Sequence, residues 1–146
     1  MTEREKQAQS WLNRNYGKAM EIEAIKRSLE RMETDLDRSV KPLKFKEVQE
    51  KPNGNLQEDM IADFVDLQFD LQKKIKKLAD EDKRTLYVIG RVSQAFLRTI
   101  LIERYVNRLS WKDISNTLHV ERGGHLYRLH LEALSAVLPY IPEEAG

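Results

Sequence analysis

Residues 96–131, FLRTILIERYVNRLSWKDISNTLHVERGGHLYRLHL, decide how this chain is read. Phe96, Leu97, Ile100, Leu101 and Tyr105 recur at helical spacing, with Arg98, Glu103 and Arg104 on the outer side. Ser93 is placed to cap that helix over Gln94–Asn107. Ser110 caps a second helix over Trp111–Leu118, with Asp113 near the positive end of its dipole. Ile114 and Leu118 face the core at i and i+4, Trp111 joins them, and Ser115 is small enough for two crossing helices to approach. A third helix starts near Arg122–Gly124 and runs to Leu138, where Pro139 stops it. Its inner face is Leu126, Leu129, Ala133 and Val137, while His125, Arg128 and Glu132 project from the other side.

Helical pieces joined this way make a helix-turn-helix, whose last helix is built to enter the major groove of double-stranded DNA. Arg122 and Arg128 carry planar forks that match a guanine edge, and His125 can donate to a base-edge acceptor. Arg108 and Lys112 lie where the duplex backbone passes, and Gly123 and Gly124 let the chain approach a phosphate closely. The charge distribution agrees. Residues 83–130 hold nine Lys and Arg against three acids, a net of +6, although the whole chain carries only +1.

Upstream, Leu12, Tyr16, Ala19, Ile22, Ile25, Leu29, Met32 and Leu36 form one apolar stripe, which predicts a single helix from about Thr2 to Arg38. Pro42, Pro52 and the Asn53-Gly54 pair then predict a loop over about 39–55. A second stripe runs through Leu56, Met60, Phe64, Leu67, Leu71, Ile75, Leu78 and Ile89, with Asn55 as N-cap and Glu58 in a capping-box position. Its helix ends near Gly90 and is roughly 50 Å long at about 1.5 Å per residue. The expected fold is therefore all-α: a long antiparallel, coiled-coil-like hairpin over 1–90, followed by a helix-turn-helix domain over 91–146. Two helices leave the flanks of their stripes open, so a homodimer or higher homo-oligomer is expected.

The Arg104-Tyr105 pair, the run Ser110-Trp111-Lys112-Asp113-Ile114 and the run Tyr127-Arg128-Leu129-His130 resemble the C-terminal half of ArpU-like phage late-transcription regulators. They are more distantly similar to the promoter-reading region 4 of sigma-70 factors. The likeness covers about 45 residues of the chain. It implies a phage or prophage protein that binds promoter or operator DNA and regulates late gene expression through the host RNA polymerase. Two departures stand out. His119 occupies the turn position where such motifs carry glycine, so its backbone must turn left-handed, and Val120–Leu126 is one residue longer than the pattern.

Several classes are disfavoured. The chain has no cysteine, so it can form neither disulfides nor thiolate metal sites. The start, MTEREKQAQSW, lacks an apolar signal core, and no stretch approaches the roughly 18 apolar residues of a membrane span. A cytoplasmic protein of the bacterial host cell, without membrane contact, is expected. His119, His125 and His130 are spaced six and five apart, unlike the i, i+4 pairs that chelate a metal. Asp63, Asp66 and Asp70 are the wet side of a helix. With no nucleophile–base set and no phosphate loop, neither an enzyme nor a cofactor is expected. Two other functions fit the same residues: a small DNA-recognition subunit of a phage packaging terminase, and a helical adaptor that binds RNA polymerase or another protein without touching DNA.

Overall fold

The computed structural model describes the backbone of residues 1–46, 51–121 and 123–143, and the side chains of these outside 39–57. Every regular element among them is helical: α1 (Glu3–Leu12), α2 (Tyr16–Lys46), α3 (Lys51–Ile89), α4 (Ala95–Leu101), α5 (Trp111–Leu118) and α6 (Gly124–Val137). A π-helical turn, Ile102–Val106, extends α4, and a 3-10 turn, Leu138–Tyr140, follows α6. None of the described helices is long and apolar enough to cross a membrane. The chain divides into two compact units, Gly17–Leu78 and Met1–Tyr16 with Ala79–Gly146. Residue 90, the boundary suggested by the sequence, lies inside the unit that includes Ala79–Gly146.

In the unit Gly17–Leu78, buried Ile22, Leu29 and Leu71 pack with Ile25, Phe64, Leu67 and Leu78. Glu21 pairs with Lys74 at 3.2 Å, while Met32 and Leu36 border a small cavity with Met60. Rising positions of α2 thus meet falling positions of α3. The expected loop over 39–55 is helical at both ends, because α2 continues to Lys46 and α3 begins at Lys51. Asn55 accordingly lies inside α3, not at its N-cap. A proline removes one backbone donor, which a helix tolerates in its first turn, where that donor has no partner.

The other unit begins with a correction. The expected helix from Thr2 to Arg38 breaks after Leu12, and Asn13–Asn15 form a turn. Asparagine competes with the helix by bonding the backbone locally. Arg14 secures the turn: its guanidinium lies 3.7 Å over the Trp11 ring, donates to the Trp11 carbonyl at 3.1 Å and pairs with Glu81 at 3.0 Å. Thr2 and Glu5 close a capping box at the other end of α1. The turn lets α1 sink Ala8, Trp11 and Leu12 into one core with Val88, Ile89, Leu97, Leu101, Ala133, Leu134 and Val137. Ala8 and Ala133 are both fully buried, and side chains this small allow α1 and α6 to approach closely.

A second, smaller core takes one residue from each of three helices. Ile100 of α4, Ile114 of α5 and Leu126 of α6 meet, with Leu109, Trp111, Leu118, Val120 and Leu129 packed around them. Full burial of each contributes about 1.5–3 kcal/mol. Phe96, expected inward, is 43% exposed. The buried face of α4 is Leu97, Ile100 and Leu101 at i, i+3 and i+4, and the residue before it points about 100° away. The N-cap of α4 is Gln94, one residue later than the expected Ser93. Truncating Ile114→Ala should lower the unfolding free energy by about 2–5 kcal/mol, read as a shift of the urea midpoint.

Candidate nucleic-acid interface

Short-range chemistry fixes both ends of α5. The Ser110 side chain accepts a bond from the Asp113 amide at 3.1 Å, as its sequence position predicted. At the other end His119 adopts φ 55° and ψ 39°, the left-handed turn expected of it. The Ser115 hydroxyl donates to the Val120 carbonyl, and the Val120 amide returns to the Ser115 carbonyl at 3.1 Å. The chain then enters α6 through Gly123, whose φ of 107° only glycine adopts without strain. Among the described residues no side chain caps α6. Its first-turn amides therefore present the positive end of the helix dipole without a side-chain acceptor.

The N-terminal ends of α5 and α6 border one cleft of about 580 Å³, lined by Trp111, Gly123, Gly124, Leu126, Tyr127 and His130 among others. Of the sequence-predicted site, Gly123 and Gly124 lie on this cleft. Lys112 is exposed in the first turn of α5, and His125 and Arg128 are exposed at i and i+3 on α6. None of these three is in an ion pair among the described residues. Arg122 falls outside the described residues.

Arg108, expected beside the duplex backbone, is engaged elsewhere. It turns left-handed at φ 58°, and its guanidinium holds both oxygens of Asp82 at 2.9 and 3.2 Å. Both side chains are only 20% exposed, so this charge is neutralised within the unit. Two arginines read as outward are also committed. Arg98 donates to the Val92 and Ser93 carbonyls at 2.6 and 3.1 Å. Arg104 donates to the Leu109 carbonyl at 3.0 Å and stacks 4.8 Å from the Trp111 ring. Part of the local basic surplus thus closes turns and helix ends.

Beneath the cleft lies a polar contact that sequence reasoning missed. The Tyr105 hydroxyl and Nε2 of His130 share a hydrogen bond of 2.6 Å, and the Trp111 ring meets the imidazole edge-on at 4.5 Å. Burial, aided by the Arg104 charge, holds the His130 pKa down at about 4, and burial pushes the Tyr105 phenol up to about 12. The imidazole is therefore neutral at pH 7, with one ring nitrogen protonated and the other able to accept. A signal was present, because Leu126, His130, Ala133 and Val137 form an i, i+4, i+7, i+11 face in which His130 takes a core position. Tyr127, in the same run as His130, is 51% exposed beside Arg128.

No protein-family model, curated protein or solved structure matches the chain.

His130 makes stability acid-sensitive. An unfolded histidine binds its proton near pH 6.5, whereas this one waits until about 4, so in between the unfolded chain holds more protons. The stabilisation is complete above pH 6.5 and is lost as pH falls toward 4, by about 3 kcal/mol. Denaturation series at pH 7 and pH 4 should show that loss for the native chain and a smaller one for His130→Gln, which keeps a hydrogen-bonding group for Tyr105 but does not titrate. Separately, His119→Gly should stabilise the fold by about 0.5–1 kcal/mol by relieving a left-handed non-glycine residue, seen as a rise in Tm.

Proposed function

We propose that this chain is a DNA-binding regulator of transcription, with α4, α5 and α6 acting as a helix-turn-helix of the sigma-region-4 kind and α6 as the helix that reads DNA. The observation that carries this reading is the cleft end of α5 and α6. Lys112 stands exposed in the first turn of α5 and His125 and Arg128 on α6, all without ion pairs among the described residues, and the α6 amides have no side-chain cap among these. A helix N-terminus with free amides suits a phosphate, and cations flanking it raise the local attraction for a polyanion. Arg128 and His125 share one α6 face, at a depth where side chains meet base edges. Lys112 serves the backbone, and Arg108 is dropped from the contact set because Asp82 holds it.

On this reading, and with the resemblance to ArpU-like regulators, the protein acts on phage late genes as a homo-oligomer, in concert with the host RNA polymerase. The helical adaptor, which binds protein and no DNA, draws support from Arg98, Arg104 and Arg108, whose charges are spent inside the unit.

A gel-shift series with random duplex separates these readings. The regulator shifts duplex at low salt, with affinity falling steeply as salt rises. Absence of any shift at low salt leaves the adaptor. Once a site is selected from random DNA, Arg128→Ala should lose about 1–3 kcal/mol of discrimination at one base pair. Lys112→Ala should weaken all sequences about equally and reduce the salt slope by about one. Specific binding that survives both changes would sink the assigned contact set.

A further inference from the structure

α3 carries a second apolar face that α2 does not use. The side chains packed toward α2 are Phe64, Leu67, Leu71 and Leu78. Ile61, Val65 and Phe69 follow one another at four-residue steps, Ile75 stands two heptads after Ile61 at the edge of the same face, and these are 48%, 39%, 59% and 39% exposed. At about 1.5 Å per residue the row extends roughly 21 Å along the helix. An exposed apolar stripe of this length marks a surface that another element covers.

Charge identifies the occupant. From Glu58 to Asp70 the helix bears Glu58, Asp59, Asp63, Asp66 and Asp70 and no cation. From Leu71 to Ala79 it bears Lys73, Lys74, Lys76 and Lys77 and no acid. Lys74 is taken by Glu21, but the other lysines and all five acids are exposed and without an ion pair among the described residues. The stripe is therefore acidic at one end and basic at the other. A helix patterned this way complements itself when reversed, and repels itself when laid parallel.

We propose that this face binds a second copy of the chain, α3 against α3 in antiparallel order, about a two-fold axis near Gln68 and Phe69. Ile61 of one copy meets Ile75 of the other, Val65 meets Gln72, and Phe69 lies beside its counterpart. Glu58 and Asp66 come opposite Lys76 and Lys73. Opposed helix dipoles favour the same order. The pairing deepens the oligomer part of the proposed function and does not depend on DNA.

The absence of native cysteine makes a direct test available, and the replaced side chains are exposed enough that the fold should survive, with circular dichroism as the check. The full chain, without DNA, should sediment as a dimer at micromolar concentration. Under mild oxidation Phe69→Cys should form a covalent dimer, and Ile61→Cys should not. The double variant Ile61→Cys/Ile75→Cys should cross-link again. Lys73→Glu/Lys76→Glu should raise the dimer dissociation constant at least about tenfold, and mixing it with Glu58→Lys/Asp66→Lys should restore association. A monomeric native chain overturns the proposal, as does a ring of many copies. Cross-linking of Ile61→Cys alone, as complete as that of Phe69→Cys, overturns the antiparallel order. Loss or retention of DNA binding has no bearing on these readings, so the two proposals fail separately.

Discussion

Ile114, fully buried between Ile100 and Leu126, is the contact on which the C-terminal elements depend. α5 has eight residues, and an isolated helix that short does not persist in water. It exists because Ser110 satisfies an amide at one end and because its apolar face is wedged between α4 and α6. The exit of α5 follows from the same constraint. Ser115 ties Val120 back, His119 turns left-handed, and Gly123 redirects the chain, so α6 opens beside the start of α5. The geometry of the candidate interface is thus set by apolar packing before any charge is considered.

Charge in this unit has two uses. Some cations are internal fasteners: Arg14 locks the α1–α2 turn through Trp11 and Glu81, Arg98 takes the carbonyls at the α4 entrance, and Arg108 holds Asp82. Others stay in water, as Lys112 and Arg128 do. A fastener must be desolvated to bond carbonyls or carboxylates, and a charge committed in this way offers little to a phosphate. A basic surplus in sequence is therefore an upper bound on the charge available to a partner.

Much of the local design was legible. Ser110, Asp113 and the apolar pair Ile114 and Leu118 gave α5 its bounds, because capping and amphipathic spacing act within a few residues. His119 could be assigned its left-handed backbone from the turn it must make. Other features were not legible, for equally physical reasons. The break at Asn13–Asn15 is made worthwhile by a core whose other members lie more than seventy residues away, such as Ile89, Leu97 and Ala133. Phe96 is apolar and one turn before Ile100, yet Leu97, Ile100 and Leu101 fill the buried face of α4 and Phe96 stands about 100° from Leu97. Arg108 resembled a surface cation until Asp82, on another helix, stood beside it.

By itself the sequence determined the all-helical character, the extent of α5, the approximate course of α3 and α6, and the concentration of positive charge toward the C-terminal half. Those properties depend on spacing, capping and composition, which act through neighbours along the chain. Tertiary structure alone decided that α1 belongs to the same unit as α4 and α6, that His130 is a buried neutral partner for Tyr105, and which of the described arginines remain free. Burial and pairing are relations between residues distant in sequence, and they come into being only when the helices pack.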